Sequence, residues 1–429
     1  MEKAGTASRA AALAALSEVL RRRRPLDAAL DAALSAAALS PRDAGFARAI
    51  ASETLRRFGQ IEALLGTFVA KRPAPHRAGP ALEILMMGIC ELLFLKVAPH
   101  AAVDAANELA ARDSKAVHFK SLINAVLRRV SREGADAIAH QDAARLNTPD
   151  WLWSRWSETY GEETVRKIAN AHAAQPPLDL VLKDSAFEIE GATKLPGNVL
   201  RLAESARIED LPGFREGKWW VQDFAAALPA RLFGDVKGKT IIDLCAAPGG
   251  KTAQLASAGA HVIAVEREPE RIARLKENLE RLHLEAEIVE ADIRDFSPAA
   301  PAPFVLLDAP CSATGTIRRH PELPWIKNAA DVNACAQAAG ELLDAASEMV
   351  AENGLLVFAV CSLEREEGIE QIEDFLKRNP NFRREAIDAR ELFGMDALIA
   401  EGDLRTLPCH LAEAGGMDGF YAARLRRLR

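Results

Sequence analysis

Two cysteines come directly after predicted buried strands, where a thiol is well placed to act as a nucleophile. Cys311 follows the apolar run Phe304–Leu307, and Cys361 follows the run Leu355–Ala359. Open α/β sheets bind their ligands beyond the carboxyl ends of the strands, so both thiols are predicted to face a binding crevice. A thiolate is a good nucleophile and a good leaving group, which favours a transient covalent bond to the substrate. This reasoning leaves open which cysteine attacks.

The reaction that best explains these groups is methylation of carbon 5 of a cytosine. That carbon is a poor nucleophile, but thiolate addition to carbon 6 turns the ring into an enamine whose carbon 5 can attack a methyl group. Asp308 lies just before Cys311 and is predicted to hold the ring nitrogen and favour the enamine. The target base must be unstacked to reach such a site.

A turn of small residues after the first predicted parallel strand, Thr240–Leu244, is suited to a cofactor. Small side chains let backbone amides approach a ligand, with a helix N-terminus behind them. Glu266 ends the next strand, at the spacing of an acidic residue that accepts both ribose hydroxyls of a nucleoside cofactor. Asp292 follows a third predicted strand and is expected to accept from an adenine amino group.

Two other cofactor classes fit this turn less well. A nicotinamide site would need G-x-G-x-x-G, which the turn lacks. The run from Gly249 to Thr252 ends like a nucleoside-triphosphate loop, but Cys245 stands where that loop has its first glycine. An adenosine cofactor is the better prediction.

The elements that position these groups change character along the chain. Residues 1–140 show helical periodicity without strand-like alternation, which predicts an all-helical domain. Residues 147–222 predict a small mixed α/β subdomain, whose clustered tryptophans are expected to anchor its core rather than to stack on bases. Residues 223–429 alternate short apolar runs with amphipathic helices, which predicts a doubly wound, Rossmann-like α/β domain.

Charge and cysteine usage limit the binding partners and the cellular compartment that the sequence predicts. A net charge of -7 is unusual for a nucleic-acid binder, although arginines cluster at Arg21–Arg24 and again near the C-terminus. Each arginine run alone is more typical of a solvated face. The six scattered cysteines include no CxxC pair, so neither a zinc site nor a disulfide framework is expected. No signal peptide or membrane span is predicted, and a reducing cytoplasm is the expected location.

At these motifs the chain resembles the Sun (RsmB-type) family of bacterial RNA 5-methylcytosine methyltransferases. The matching segments are Asp243–Thr252, Leu307–His320, Cys361-Ser362 and Asp418–Ala422. The resemblance implies a NusB-like N-terminal RNA-binding domain and S-adenosylmethionine as cofactor. It also implies that Cys361 is the nucleophile and that Cys311 assists product release. By the same resemblance, the cofactor contacts are Cys245, Ala246, Ala247, Pro248, Gly249, Gly250, Lys251, Glu266, Asp292 and Asp308.

The chain departs from the family pattern at two positions. Glu266 stands where the family more often has aspartate, and Val360 stands where threonine usually precedes the cysteine. Neither change removes a reacting group.

The partner implied by the resemblance is RNA, with a cytosine of 16S ribosomal RNA favoured over transfer RNA. Arg318, Arg319 and His320 follow the loop that carries Cys311, and they are predicted to hold phosphates near the base. No metal and no protein partner is inferred. The alternatives are a non-catalytic NusB-like RNA-binding factor and, less favoured, a methyltransferase for small molecules or proteins.

Overall fold

The computed structural model describes residues 5–203 and 207–429, in two compact units. The first unit comprises residues 1–173 with 317–328, and the second comprises residues 174–316 with 329–429. The three-domain limits drawn from the sequence stay a prediction. Among the described helices, none is long and apolar enough to cross a bilayer.

The first unit is helical throughout residues 5–173, as the periodicity predicted. One apolar core joins its helices, with Leu16, Leu55 and Leu85 completely buried. Its helices in this range are α1 (Thr6–Arg22), α2 (Leu26–Ala37), α3 (Pro41–Arg56), α4 (Phe58–Phe68), α5 (Pro75–Ala78), α6 (Ala81–Leu93), α7 (Pro99–Arg112), α8 (Lys120–Ala139), α9 (Ala143–Leu146), α10 (Asp150–Tyr160) and α11 (Glu162–Ala173).

Local sequence sets several of these helix ends. Pro41 and Pro99 occupy first helical positions, where the missing amide costs no hydrogen bond. Ser40 caps α3, its hydroxyl accepting from the Asp43 amide at 3.2 Å. Gly161, at φ 79°, ends α10 and separates it from α11.

The second unit begins with a small antiparallel sheet. Its strands are β1 (Leu178–Leu182), β2 (Thr193–Leu195), β3 (Val199–Leu202) and β4 (Trp219–Val221), in the order β2-β3-β1-β4. Trp219 and Trp220 are 0% and 5% exposed, and Trp156 of the first unit is 1% exposed. These three tryptophans are core residues, as predicted, whereas Trp151 and Trp153 of the same cluster are only partly buried.

The remaining strands form one nine-stranded sheet, ordered β11-β12-β13-β9-β8-β5-β6-β7, with β10 on β13. They are β5 (Thr240–Leu244), β6 (His261–Glu266), β7 (Glu287–Glu290), β8 (Ala302–Asp308), β9 (Val350–Val360), β10 (Phe382–Arg384), β11 (Ile399–Ala400), β12 (Asp403–Thr406) and β13 (Phe420–Arg427). The helices of the second unit are α12 (Phe224–Arg231), α13 (Gly250–Ser257), α14 (Pro269–Leu282), α16 (Ala329–Glu348) and α17 (Ile369–Arg378), and α15 (Leu323–Ile326) belongs to the first unit.

The central five strands confirm the doubly wound prediction. Strands β5 to β9 pair in parallel, and separate apolar clusters cover the two faces of the sheet. The strand order reverses between β5 and β8, which opens a crevice at their carboxyl ends. The carboxyl ends of β5, β6, β7, β8 and β9 and the loops that follow them carry the predicted site residues.

The antiparallel edge of the sheet was not predicted. Strand β13 pairs with β9, and its arginines pair with carboxylates: Arg424 with Glu391, and Arg426 with Glu385. In the N-terminal run, Arg21 pairs with Glu83. The guanidinium groups of these three arginines are therefore paired with carboxylates of the chain itself.

Candidate active site

The loop between β5 and α13 brings backbone close to the crevice. Gly249 has φ 103°, a left-handed conformation that favours glycine, and a Cβ atom there would lie 2.5 Å from Leu275 Cδ1. The Gly249 amide donates to the Ala246 carbonyl at 2.9 Å, which closes the turn immediately before α13. A turn of this shape at a helix N-terminus suits a polar ligand such as a nucleoside cofactor.

A buried carboxylate supports this loop. Asp243, in β5, is 1% exposed and accepts a hydrogen bond from the Thr252 hydroxyl at 2.6 Å. Burial raises the pKa of Asp243 to about 7. This contact joins the end of β5 to the first turn of α13. Sequence reasoning included both residues in a motif but did not pair them.

Glu266 lies at the end of β6 and Asp292 lies in the loop after β7, as predicted. Both carboxylates already have an arginine partner in the structure. Glu266 Oε1 accepts from the backbone amides of Arg267 and Glu268 at 3.0 and 3.2 Å, and Oε2 lies 3.1 Å from Arg271 Nη1. Asp292 accepts from the Arg294 guanidinium at 2.9 and 2.7 Å. Those hydrogen bonds hold the pKa of Asp292 far below its usual range. A ribose or adenine would share these carboxylates with the arginines.

Lys251 connects the cofactor loop to the end of β8. Its Nζ atom donates to Asp308 Oδ2 at 2.7 Å and lies 5.1 Å from the ring centroid of Phe420. Lys251 is 8% exposed as a whole residue. The contact places Asp308 between the loop after β5 and the loop that carries Cys311.

The two strand-end cysteines meet in the structure. The Sγ atoms of Cys311 and Cys361 lie 3.5 Å apart, and both residues are partly exposed. The hydrogen bond with Cys361, followed by burial, raises the pKa of Cys311 well above that of an ordinary thiol. Adjacent β8 and β9 run in parallel, so their carboxyl ends bring the cysteines together although 50 residues separate them. The arrangement can present two sulfurs to one small substrate.

The basic residues after the reactive loop are placed differently from the prediction. Arg318 is 1% exposed, so its side chain cannot reach a phosphate, and that part of the prediction is wrong. Its carbonyl accepts from Arg56 Nη1 at 2.9 Å within the helical unit. His320 Nδ1 lies 3.8 Å from carboxylates of Asp27 and Glu322. Phosphate contacts of Arg319 and His320 stay a prediction.

Both parts of the chain match known families. Residues 231–426 match the family described as 16S rRNA methyltransferase RsmB/F, and residues 6–132 match the NusB family. Two similar curated proteins are each named "Ribosomal RNA small subunit methyltransferase B". The protein of Pseudomonas putida is 35% identical over 98% of both chains. The protein of Vibrio cholerae is 35% identical over 98% of this chain and 97% of its own length.

Solved structures share the fold. PH0851 aligns over 100% of both chains with a TM-score of 0.78 at 22% identity. NSun6 from Pyrococcus horikoshii, solved with SFG, covers 66% of this chain and 98% of its own at TM-score 0.55 and 18% identity. A methyltransferase homologue from the same organism covers 64% and 94% at TM-score 0.53 and 23% identity.

Proposed function

The chain belongs to the RsmB/F family and is an S-adenosylmethionine-dependent RNA methyltransferase, and we propose that its product is 5-methylcytosine in small-subunit ribosomal RNA. The observation that carries this proposal is the pair of sulfurs 3.5 Å apart at the ends of β8 and β9. Methyl transfer to an exocyclic amine or a hydroxyl needs no sulfur nucleophile. Methyl transfer to carbon 5 of a pyrimidine does, because that carbon must first be activated by addition at carbon 6.

We assign the attack to Cys361 on the strength of the family resemblance. Its thiolate electron pair forms a bond to carbon 6, and the ring electrons move to make carbon 5 nucleophilic. Asp308 lies at the end of the neighbouring strand and would hold the ring nitrogen. When bound, S-adenosylmethionine supplies the methyl group. Loss of the carbon 5 proton to a base then restores the ring double bond and expels the Cys361 thiolate.

Cys311 is suited to the release step. Its raised pKa keeps it a neutral thiol at neutral pH, so it remains a proton donor beside the departing Cys361 sulfur. Donation of a hydrogen bond across 3.5 Å stabilises a thiolate as it leaves carbon 6. The raised pKa and the short distance to Cys361 therefore fit Cys311 to the role of release group.

The residues around the crevice fit the nucleoside cofactor. The Cys245–Lys251 loop would accommodate its polar end against the first turn of α13, while Glu266 and Asp292 would accept from ribose and adenine. Asp308 would border both cofactor and base through its contact with Lys251. The support for this assignment is the loop conformation at Gly249 and the buried Asp243–Thr252 contact beneath it.

The choice of ribosomal RNA rests on the relatives' names and on the NusB match in the helical unit. Transfer RNA is the second candidate within the same chemistry. A non-catalytic RNA-binding role is disfavoured because both cysteines, Asp308 and the glycine turn are present together.

In the test, the purified full chain is incubated with S-adenosylmethionine and either unmodified small-subunit ribosomal RNA or a transfer RNA pool. Nucleosides are analysed by mass spectrometry, and the site is located by bisulfite sequencing. We expect 5-methylcytosine at one ribosomal position. Methylation only in transfer RNA would overturn the substrate assignment, and a methylated base other than 5-methylcytosine would overturn the chemistry.

A further inference from the structure

A buried carboxylate lies between the residues that follow the two cysteines. Ser312 and Ser362 come directly after Cys311 and Cys361, and both serines are 0% exposed. The hydroxyls of both serines donate to Glu367 Oε2, that of Ser312 at 2.6 Å. The Ser312 amide also donates to Glu367 Oε1 at 2.6 Å. One carboxylate thus accepts hydrogen bonds from the serines of both Cys-Ser pairs, which lie in the loops after β8 and β9.

Further hydrogen bonds tie the same two loops together. The Gly315 amide donates to the Cys361 carbonyl at 3.0 Å, and the Leu363 amide donates to the Thr314 hydroxyl at 3.0 Å. A Cβ atom at Gly315 would lie 1.9 Å from the Gly419 carbonyl oxygen, so only glycine fits at this crossing. The loops after β8 and β9 therefore form one connected polar cluster.

Burying this polar cluster costs free energy that an apolar cluster would not cost. Glu367 is 0% exposed, and burial raises its pKa while the serine hydrogen bonds lower it. A buried carboxylate costs several kcal/mol unless donors surround it, and apolar residues of similar volume often pack at least as stably. What the carboxylate adds is directional bonds to particular atoms. Consecutive Cα atoms are about 3.8 Å apart, so fixing each serine also fixes the cysteine before it.

We propose that Glu367 is a positioning residue that sets the spacing of the Cys311 and Cys361 sulfurs by bridging Ser312 and Ser362. The meaning of this spacing for catalysis rests on the proposed cytosine methylation. Cys361 needs no partner to add to carbon 6, whereas release uses a proton donor at a set distance. Loss of the bridge is therefore expected to impair release more than attack.

The spacing is tested first without RNA. Diamide oxidises two neighbouring thiols to a disulfide, taking up both hydrogens as it becomes the hydrazine, and the sulfurs must approach from 3.5 Å to about 2.05 Å. The Cys311–Cys361 linkage is followed by peptide mass spectrometry. In Glu367→Gln, which keeps size but loses an acceptor, we expect the linkage to form about 10-fold more slowly than in the unaltered chain.

Glu91→Gln is the matched control, because Glu91 is also a buried carboxylate, paired with Arg9 in the helical unit. It should leave the linkage rate unchanged. If Glu367→Gln does not fold, Ser312→Ala removes one hydroxyl donor and should slow the linkage about threefold. A rate within twofold of the unaltered chain in the folded variant would overturn the positioning role.

The catalytic consequence is read separately. With RNA and S-adenosylmethionine, Glu367→Gln should form the covalent protein–RNA adduct but release it more slowly, so the adduct accumulates on a denaturing gel. Equal loss of adduct formation and turnover would indicate general disruption and contradict the proposal. If the unaltered chain makes no 5-methylcytosine, the proposed function fails, yet the RNA-free linkage rates still decide the role of Glu367.

Discussion

Lys251 Nζ and Asp308 Oδ2 lie 2.7 Å apart and form an ion pair between the loop after β5 and the end of β8. Lys251 comes from the first turn of α13, and Asp308 is the last residue of β8. The pair therefore joins the two halves of the crevice where the strand order reverses. Through this ion pair, the loop after β5 directly contacts the carboxylate that is expected to orient the base.

Replacing Lys251 with methionine should therefore slow methyl transfer. The substitution keeps the length of the side chain and removes the cation, which leaves the partly buried Asp308 without its partner. We expect kcat to fall about 100-fold, the loss typical when a group that orients the substrate is displaced by about 1 Å. Single-turnover transfer of a radiolabelled methyl group measures the change. Lys276→Met, at an exposed position of α14, is the control and should keep the unaltered rate. An unchanged rate in folded Lys251→Met would contradict a role for the pair.

Gly249→Ala should weaken cofactor binding. The added Cβ would meet Leu275 Cδ1 at 2.5 Å in a residue whose φ is 103°, so the turn must shift. We expect a loss of about 1–2 kcal/mol in folding free energy and about 10-fold in cofactor affinity, measured by calorimetry. Gly259→Ala is the matched control, because φ there is 86° but the nearest contact is Lys237 Cγ at 3.3 Å. It should lose similar stability and bind the cofactor normally; equal weakening in both variants would refute a specific role for the turn.

The buried carboxylates make stability depend on pH. Asp243 has a folded pKa of about 7 against an ordinary 3.8, so the folded chain holds an extra proton between these values. The free energy of unfolding must therefore fall as pH rises through this window. Asp243→Asn removes that dependence, and its Tm relative to the unaltered chain should climb from pH 4 to 7, by an amount equivalent to about 3 kcal/mol in free energy of unfolding.

Asp403 provides the comparison for this pH effect. Burial raises its pKa to about 6, and it accepts from the Tyr421 hydroxyl at 2.5 Å. Asp403→Asn should show the same sign of change, but its relative Tm should level off near pH 6 rather than 7. Scanning calorimetry across pH 4 to 8 measures both variants. A relative Tm of Asp243→Asn that is flat across this range would show that Asp243 ionises normally in the folded chain.

Features set by short-range patterns were predictable from the sequence. The buried parallel strands appear as apolar runs, and β5 agrees with its predicted range, Thr240–Leu244. Both cysteines were predicted to follow buried strands, and they do. Their 3.5 Å spacing was not predicted, because the sequence does not show that β8 and β9 are neighbours, and the chemical roles of the two residues stay proposals.

Features that depend on distant partners were not predictable. The sequence of β13 combines arginines with apolar residues and resembles a basic tail. In the structure, Glu385 and Glu391 pair with two of these arginines. Arg318 was expected at the surface because arginine usually is, yet it is buried in the helical unit. Glu367 belongs to an acidic run that resembles a solvated loop. Only the fold shows that it bonds to serines in the loops after two adjacent strands, although the repeated Cys-Ser pair was visible in the sequence.

The most direct test of the central claim compares covalent adducts in Cys311→Ala and in the double variant Cys311→Ala/Cys361→Ala. Each protein is incubated with S-adenosylmethionine and labelled small-subunit ribosomal RNA, then run on a denaturing gel. On the proposed roles, in which Cys361 attacks and Cys311 assists release, the single variant should retain RNA in a slow-migrating adduct and the double variant should retain none. An adduct that persists without Cys361, or full methylation by Cys361→Ala alone, would contradict the account.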